Sequence, residues 1–207
     1  MKTVVFLAPG FEEIEALTVV DYLRRAGENV LTVSVPLDGS GKANAVVTGA
    51  HKIPVIADRA FQDFVSGLGD SLPDAIYFPG GMPGATNLAA NQFLFNLTIK
   101  MERKGKIVAA ICAAPAVVLA PTGILAGRKW TCYPGMEKKL AEYCGSEVKA
   151  QELTENSQHI SNVPFVLDNN VLTGRGPGTA EQFAMKLVEL TAVKATAEKV
   201  HDASVQR

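Results

Sequence analysis

The sequence predicts an α/β protein built on a doubly wound, mostly parallel sheet with helices on both faces. Short apolar runs rich in β-branched residues alternate with segments of helical periodicity along most of the chain. Glycine and proline follow several of the apolar runs, as expected where a strand gives way to a loop and a helix. The 207 residues, 47% of them hydrophobic, are enough to bury a core, so we expect a single domain spanning residues 1–207.

The first half of the chain predicts a strand–helix–strand unit. Its segments are a strand at residues 3–8, a helix at residues 13–26 and a strand at residues 29–35. Gly27 lies just past the periodic residues of the helix, where glycine commonly ends a helix. The Asp-Gly-Ser-Gly sequence at residues 38–41 indicates a turn. Residues 45–48 and 53–56, which follow it, are expected to pair as a small hairpin.

The second half of the chain repeats the alternation. Strands are predicted at residues 74–78, 106–111 and 170–173, with weaker strand-like runs at 129–132 and 165–167. Helices are predicted from Gly84 to about Arg103, from about Ala113, and at residues 179–190. Because the run at 106–111 passes into the helix at Ala113 without loop residues, the turn at Cys112 must be sharp.

Composition and charge exclude several classes of function. The formal net charge is -1 and the pI is about 6.3, so no basic surface is expected to bind nucleic acid. The first apolar run is too short for a secretion signal or a membrane span, and we expect a cytoplasmic protein without membrane partners. Cys112, Cys132 and Cys144 lack CxxC spacing, and no histidine or carboxylate pattern predicts a metal site.

Four loops are expected to meet at one edge of the predicted sheet. Each follows the carboxyl end of a predicted strand, which is where doubly wound sheets bind ligands. These loops are residues 9–15, 79–84, 112–115 and 174–178. The functional site is therefore predicted among them.

Cys112 is the predicted nucleophile of this site. It lies between a buried strand and the first turn of a helix, where free N–H groups and the helix dipole favour a negative sulfur and a lowered thiol pKa. The alternative is that Cys112 packs as a small buried hydrophobic residue, as most free cysteines do. The following Ala113, Ala114 and Pro115 favour the reactive role, because small residues permit a tight elbow and proline suits a first helical turn.

Glu15 is the predicted proton partner of Cys112. Its neighbours within residues 14–17 are apolar, and burial among them would raise its pKa and keep it protonated as a donor to a thiolate. Glu12 and Glu13 are instead expected to complement the helix dipole and to remain solvated.

Two glycine loops complete the predicted site. Gly80 and Gly81 suit turns with positive φ, and they would also let a substrate carbonyl approach the backbone. A backbone N–H from this loop, together with one from the turn at Cys112, forms a candidate oxyanion hole. The loop at residues 174–178 lacks the spacing of nucleotide-binding loops, so a structural turn that closes the pocket is favoured there.

Four segments carry a resemblance to a known family. They are Phe11-Glu12-Glu13-Ile14-Glu15, Pro79-Gly80-Gly81, Ala109-Ala110-Ile111-Cys112-Ala113-Ala114-Pro115 and Gly176-Pro177-Gly178-Thr179-Ala180. In this order and spacing they resemble the ThiJ/PfpI superfamily, and more narrowly its branch around the Parkinsonism-associated protein deglycase and its bacterial relatives. The resemblance implies a flavodoxin-like fold, a nucleophilic and oxidation-prone Cys112, a hydrogen-bonded Glu15, and backbone donors at Gly81 and Ala113.

The resemblance also implies an activity that needs no cofactor. Activities reported for the family are glyoxalase action on methylglyoxal, deglycation of early glycation adducts, oxidative-stress sensing and chaperone-like protection, and members are commonly homodimers. We therefore expect small reactive aldehydes or glycated proteins as partners, together with a second copy of the chain. We expect Gly80, Tyr133, Gly176 and Pro177 to contact the substrate.

Three departures from the family pattern bear on this expectation. Peptidase-like members carry a histidine directly after the cysteine, and Ala113 stands there in this chain, so peptidase activity is disfavoured. Tyr133 occupies the position of a pocket histidine that precedes a proline. His51 lies near the position where an arginine of an anion pocket is expected.

Three hypotheses about function remain open on the sequence. In the first, an enzyme uses Cys112 to attack an aldehyde while Glu15 moves the proton. In the second, peroxide oxidises Cys112 of a non-enzymatic sensor. In the third, a binding module holds a phosphorylated metabolite with Arg175 and the loop at residues 174–178.

Overall fold

The computed structural model describes residues 2–37, 45–69 and 71–205. Its strands are β1 (Lys2–Leu7), β2 (Asn29–Ser34), β3 (Val46–Thr48), β4 (Pro54–Ile56), β5 (Arg59–Ala60), β6 (Ala75–Phe78), β7 (Ile107–Ile111), β8 (Lys129–Trp130), β9 (Gln158–His159), β10 (Phe165–Asp168) and β11 (Val171–Gly174). Its α-helices are α1 (Glu13–Arg25), α2 (Phe61–Leu68), α3 (Gly84–Ala89), α4 (Gln92–Arg103), α5 (Leu140–Cys144), α6 (Glu147–Asn156), α7 (Ala180–Thr191) and α8 (Lys194–Ala203).

The central sheet has the strand order β10-β11-β7-β6-β1-β2-β5. Only β10 runs antiparallel to its neighbour, and the other pairs are parallel. The chain leaves β1 for β2 on one side and then crosses back to β6 on the other, which is the order of a flavodoxin-like doubly wound sheet. The predicted fold class is therefore confirmed, and the switch point between β1 and β6 lies where such folds bind ligands.

The sheet separates two hydrophobic cores. Along β1, Val4 and Phe6 face one core while Val5 and Leu7 face the other, because side chains alternate between the faces of a strand. Helices α2 to α6 contribute to the first core, and α1, α7 and α8 contribute to the second. Among the described residues, no helix is both long and apolar enough to cross a membrane.

Several predicted elements are confirmed and others need correction. β3 and β4 pair antiparallel, as expected for residues 45–48 and 53–56, while the turn predicted at residues 38–41 lies outside the described residues. The single helix predicted from Gly84 to Arg103 is two helices, α3 and α4. The break falls at Asn91, whose side-chain oxygen accepts a 3.2 Å hydrogen bond from the N–H of Leu94 and caps α4.

The helix predicted to begin at Ala113 has an unusual form. A π-helical turn spans Pro115–Leu119, and a 3₁₀ turn at Ala120–Thr122 follows it. All five residues of the π-helical turn are buried, and Gly123 ends the segment in a left-handed conformation at φ +79°. Such π-helical turns are common at functional sites, and this one begins three residues beyond Cys112.

Candidate active site

The loops at the carboxyl ends of the strands meet as predicted. The N–H of Glu12 donates a 2.9 Å hydrogen bond to the carbonyl of Gly80, which joins the loop after β1 to the loop after β6. The N–H of Cys112 donates a 2.9 Å hydrogen bond to the carbonyl of Gly174, which joins the loop after β7 to the end of β11. Backbone hydrogen bonds therefore join the four predicted loops in two pairs, and the pairs meet where the N–H of Gly81 faces the sulfur of Cys112.

Cys112 occupies a strained elbow. Its φ is +63°, in the left-handed region that side chains other than glycine rarely adopt. Two backbone hydrogen bonds fix this conformation, since the N–H of Cys112 binds Gly174 and its carbonyl accepts a 2.8 Å bond from the N–H of Tyr133. The side chain is partly buried. The predicted sharp turn is confirmed, and its strain is of the kind found at active sites.

Glu15 is fully buried beneath this elbow. Its Oε2 accepts a 2.8 Å hydrogen bond from the N–H of Gly80, and its Oε1 is buried with no hydrogen-bond partner among the described residues. Burial raises the pKa of Glu15 to about 8, against the opposing effects of Gly80 and Cys112. The raised pKa agrees with the sequence prediction, but its cause differs: Ile14 and Leu17 are exposed, and Glu15 is buried because it points inward from α1.

The predicted lowering of the Cys112 pKa is wrong. Burial raises the pKa of the thiol, and an ionised Glu15 raises it further through charge repulsion and a side-chain contact. The N–H groups of Gly81 and Ala113 lower the pKa without outweighing burial. Because each negative charge raises the pKa of the other group, the pair holds at most one charge near neutral pH.

The two glycines after β6 have different roles. The N–H of Gly81 and that of Ala113 both face the sulfur of Cys112, as expected for the two donors of an oxyanion hole. Gly80 was predicted to contact substrate, and the structure gives it a further role. It is buried, its N–H binds Glu15, and its carbonyl binds Glu12, so both of its backbone groups are engaged within the protein. Gly80 therefore positions Glu15, and its contact with substrate stays a prediction.

Glu13 is not the solvated carboxylate that the sequence suggests. It is buried, and its Oε1 accepts a 2.8 Å hydrogen bond from the N–H of His51 while its Oε2 lies 2.9 Å from Nδ1 of the same residue. Burial opposes ionisation of Glu13, but these hydrogen bonds outweigh it and lower the pKa. Glu13 therefore joins α1 to the β3–β4 hairpin. Its ion pair with His51 fills the region where an arginine was expected.

The other predicted substrate contacts line a cavity of about 390 Å³. Tyr133, Gly176 and Pro177 form part of its wall together with Arg175. Tyr133 is 49% exposed, and a side chain at Gly176 would lie 3.3 Å from its ring. Since the N–H of Tyr133 binds the carbonyl of Cys112, this wall adjoins the elbow through the backbone. The loop at residues 174–178 also closes as a 3₁₀ turn at Pro177–Thr179, consistent with the structural role that was favoured for it.

A cysteine–histidine pair that the sequence did not reveal lies elsewhere in the fold. Cys132 Sγ is 3.7 Å from Nε2 of His159, and the carboxylate of Glu137 lies beside both. The two paired residues are far apart in sequence, and they meet because β8 and β9 run side by side. The sequence could have suggested the Cys132–His159 pair only through the pairing of β8 with β9. Its signal for that pairing is weak and is limited to the strand-like run at residues 129–132.

The fold and site define a class of proteins: flavodoxin-like α/β proteins in which a strained cysteine elbow faces a buried glutamate. The chain belongs to the DJ-1/PfpI family, whose family model matches residues 1–190. The family resemblance seen in the sequence is confirmed.

Three relatives illustrate the similarity. Protein DJ-1 homolog A of Arabidopsis thaliana is 34% identical over 200 residues, covering 96% of this chain and 45% of the homologue. The chain spans less than half the length of that homologue and of Arabidopsis homolog B. Glutathione-independent glyoxalase DJR-1.2 of Caenorhabditis elegans is 32% identical over 178 residues, covering 86% of this chain and 81% of the relative. The structure of oxidized Toxoplasma gondii DJ-1 superposes with a TM-score of 0.79 at 30% identity, covering 99% of this chain and 98% of the other.

Proposed function

We propose that the protein is a cofactor-independent enzyme of the glyoxalase and protein deglycase type, acting on methylglyoxal or its early protein adducts. One observation carries the proposal: the Cys112 sulfur adjoins a fully buried carboxyl of raised pKa and faces two backbone N–H groups. The activity named for the C. elegans relative supports the same reaction. Neither glutathione nor a metal ion takes part in the proposed chemistry.

The first proposed step is addition of the sulfur to the aldehyde carbon of methylglyoxal. As the C–S bond forms, the ionised Glu15 takes the proton of the Cys112 thiol and the carbonyl electron pair moves to oxygen; Glu15 then gives this proton to the oxygen, which becomes a hemithioacetal hydroxyl. The N–H groups of Gly81 and Ala113 stabilise the developing oxyanion. In acyl-transfer enzymes such a donor contributes about 3 kcal/mol.

The second proposed step is a proton transfer between neighbouring carbons. The ionised Glu15 removes the proton from the carbon that bears sulfur, giving an enediolate, and returns it to the former ketone carbon, while the hydroxyl proton passes to the former ketone oxygen, giving a thioester of lactate. Water then hydrolyses the thioester, which releases lactate and restores the Cys112 thiol. The net reaction consumes one methylglyoxal and one water and yields one lactate, so no redox cofactor is required.

Lactate formation from methylglyoxal without glutathione tests the proposal. We expect Cys112→Ala to abolish turnover, and Glu15→Gln to lower it by about 100-fold or more, as for loss of a general acid–base group. Cys144→Ala is the matched control, because this partly buried thiol lies outside the site, and it should turn over as the wild type does. Undiminished turnover in either active-site variant contradicts the proposal.

A second candidate function is an oxidative-stress sensor that uses the same cysteine. Two molecules of peroxide would convert the thiolate to a sulfinate and release two of water. Glu15 Oε1 supports this candidate, because it is buried without a hydrogen-bond partner among the described residues and a protonated carboxyl there would donate to a sulfinate oxygen. The oxidized state of the T. gondii relative points the same way.

Intact mass after mild peroxide treatment tests this candidate. We expect two oxygens to add at Cys112, while Cys132, which is 2% exposed, and Cys144 remain unchanged. Equal oxidation of the three thiols contradicts the sensor function. Suppression of aggregation of an unfolded client by the oxidised protein, but not the reduced form, would extend it to a chaperone role.

We also propose that the protein is a homodimer and cytoplasmic, as the family resemblance and the sequence suggest. Exposed apolar side chains on α1 and on the β3–β4 hairpin support the dimer: Ile14, Leu17, Val46, Ile53 and Ile56. Sedimentation should give a dimer, and Ile56→Glu should shift it to a monomer. Val193→Glu is the control, because Val193 is equally exposed but lies beside α8.

A further inference from the structure

Three side chains of metal-ligating type meet outside the candidate active site. They are Cys132, Glu137 and His159, and their ligand atoms all lie within 4.8 Å of one another. Cys132 is buried, and the other two are partly buried. The reaction proposed for Cys112 and Glu15 uses none of these groups.

The distances within this cluster suit a tetrahedral metal ion. Cys132 Sγ lies 3.7 Å from His159 Nε2 and 4.0 Å from Glu137 Oε2. In a tetrahedral zinc site, with Zn–S about 2.3 Å and Zn–N or Zn–O about 2.1 Å, sulfur lies about 3.5 Å from each of the other ligands. Movements of about half an ångström or less would therefore bring the sulfur to this distance from each of the other two ligand atoms, which themselves lie within 4.8 Å of each other.

The backbone around the cluster holds each ligand in place. His159 ends β9 and Cys132 lies two residues beyond the end of β8; the two strands pair in parallel, and the N–H of Ile160 donates a 2.8 Å hydrogen bond to the carbonyl of Trp130. The His159 ring packs edge-on against Trp130, with 5.0 Å between ring centroids. Two of the three ligands are therefore positioned before any metal arrives, which lowers the cost of ordering them on binding.

Glu137 is also directed towards the cluster. Its Oε2 accepts a 2.8 Å hydrogen bond from the N–H of Gly135, at the start of the 3₁₀ turn Met136–Lys139. A carboxylate oriented by a backbone donor keeps a lone pair for a cation, and outer contacts of this kind support ligands in metal sites.

Solvent reaches the cluster through a cavity of about 210 Å³. Its wall includes the three ligands together with Ser161, Asn162 and Arg175. The cavity leaves room for water at a fourth coordination position, as in zinc sites with three protein ligands. Arg175 opposes a cation by its charge, although its guanidinium donates a 3.1 Å hydrogen bond to Asn162 Oδ1.

We propose that Cys132, Glu137 and His159 bind a Zn²⁺ ion in a site separate from Cys112. One thiolate, one imidazole and one carboxylate form a ligand set that zinc accepts, with water as the fourth ligand. On binding, the Cys132 thiol releases its proton to solvent as the Zn–S bond forms. The site is independent of the proposed glyoxalase reaction.

Cobalt substitution tests the site directly. Co²⁺ added to the reduced, metal-free protein should give, at one equivalent, a near-ultraviolet thiolate-to-cobalt charge-transfer band and intense visible bands of four-coordinate cobalt, and Zn²⁺ should bleach both. Cys132→Ser should lose the charge-transfer band. Cys112→Ser and Cys144→Ser are the matched controls and should keep it. Absence of the band from the wild type, or its loss in Cys112→Ser with retention in Cys132→Ser, overturns the proposal.

A second measurement guards against a Cys132→Ser variant that does not fold. Glu137 is partly exposed on a short turn, so Glu137→Gln should fold normally by circular dichroism. Competition with a zinc-chelating dye should show Zn²⁺ affinity lowered at least about 10-fold in Glu137→Gln and in His159→Gln, in line with loss of a metal ligand or its support. Wild-type affinity in both variants contradicts the site.

Discussion

The N–H of Gly80 donates a 2.8 Å hydrogen bond to Oε2 of Glu15, and Gly80 lies against both that carboxylate and the side chain of Cys112. A Cβ at Gly80 would lie 2.6 Å from the Cβ of Cys112 and 2.7 Å from Glu15 Oε2, both too close for unchanged geometry. The absence of a side chain at Gly80 therefore allows the cysteine and the glutamate to meet.

Gly80→Ala should damage activity more than stability. The added methyl group must push Cys112 and Glu15 apart, so we expect lactate formation to fall by about 100-fold, as for a small misplacement of reacting groups. Overpacking should lower the free energy of unfolding by about 1–3 kcal/mol. Kinetics and urea unfolding measure the two effects.

The matched control for that change is Gly67→Ala. Gly67 lies within α2, and an added Cβ would meet only the end of the Arg59 side chain at 3.6 Å. Alanine favours a helix over glycine by about 0.5–1 kcal/mol, so this variant should be as stable as the wild type or more so, with unchanged turnover. Full activity in Gly80→Ala would show that the spacing of Cys112 and Glu15 is not critical.

The raised pKa of Glu15 should make the protein less stable as pH rises. In the unfolded chain Glu15 ionises near its ordinary value of 4.5, whereas in the folded protein it keeps its proton up to about 8. Between these values the folded state binds more protons, so its stability falls with pH by up to roughly 4–5 kcal/mol. The contribution is fully present below pH 4.5 and is lost as pH rises through about 8.

Glu15→Gln should remove this dependence, because glutamine does not titrate. Urea midpoints of the two proteins, measured from pH 5 to about pH 9, should converge at the acidic end and favour the variant at the alkaline end. Parallel curves would show that Glu15 ionises normally in the folded protein.

The sequence predicted the elements that carry strong apolar periodicity. β1, α1 and β7 lie where they were expected, because each buries a clear face or run of residues. Helices α2, α5, α6 and α8 were missed. Helix α6 shows why: it buries only Ala150 and Leu153, so its sequence has little periodicity, and contacts from the rest of the fold hold it.

The positions of the site residues could be predicted, because they depend on the order of strands and loops along the chain. The pKa of Cys112 could not, because it depends on how deeply the side chain is buried. Cys112 and Glu15 follow strand ends, and the sheet topology brings such positions together. The direction of the Cys112 pKa was wrong, because the helix-dipole argument leaves out the cost of burying a charge. The neighbours of Cys132 were also missed, since β8 and β9 are two-residue strands with almost no sequence signal.

Because φ at Cys112 is +63°, we expect glycine at this position to make the protein more stable than alanine does, the reverse of the usual order within a helix. A left-handed conformation costs a residue with a Cβ roughly 1–2 kcal/mol, so Cys112→Gly should be more stable than Cys112→Ala by about 1 kcal/mol. The control comparison is the neighbouring Ala114, which has φ -62° and ψ -35°, and where Ala114→Gly should be destabilising by about 1 kcal/mol. Thermal unfolding of the three variants decides the question, and a Cys112→Gly variant less stable than Cys112→Ala would show that the elbow is unstrained.

The contacts of Glu13 predict that it anchors the β3–β4 hairpin. Glu13→Gln keeps the size of the side chain but removes the charge that binds the ring and N–H of His51, so we expect a loss of about 1–3 kcal/mol and faster hydrogen exchange at the hairpin amides. Because the folded pKa of Glu13 is lowered, its stabilising effect should be complete above pH 4.5 and fade as pH falls below that value.

Asp21→Asn, which breaks an exposed pair with Arg25, is the control and should cost no more than about 0.5 kcal/mol. Equal effects of the two changes would mean that Glu13 is no more than a surface carboxylate, and unchanged exchange at the hairpin would exclude its role as an anchor.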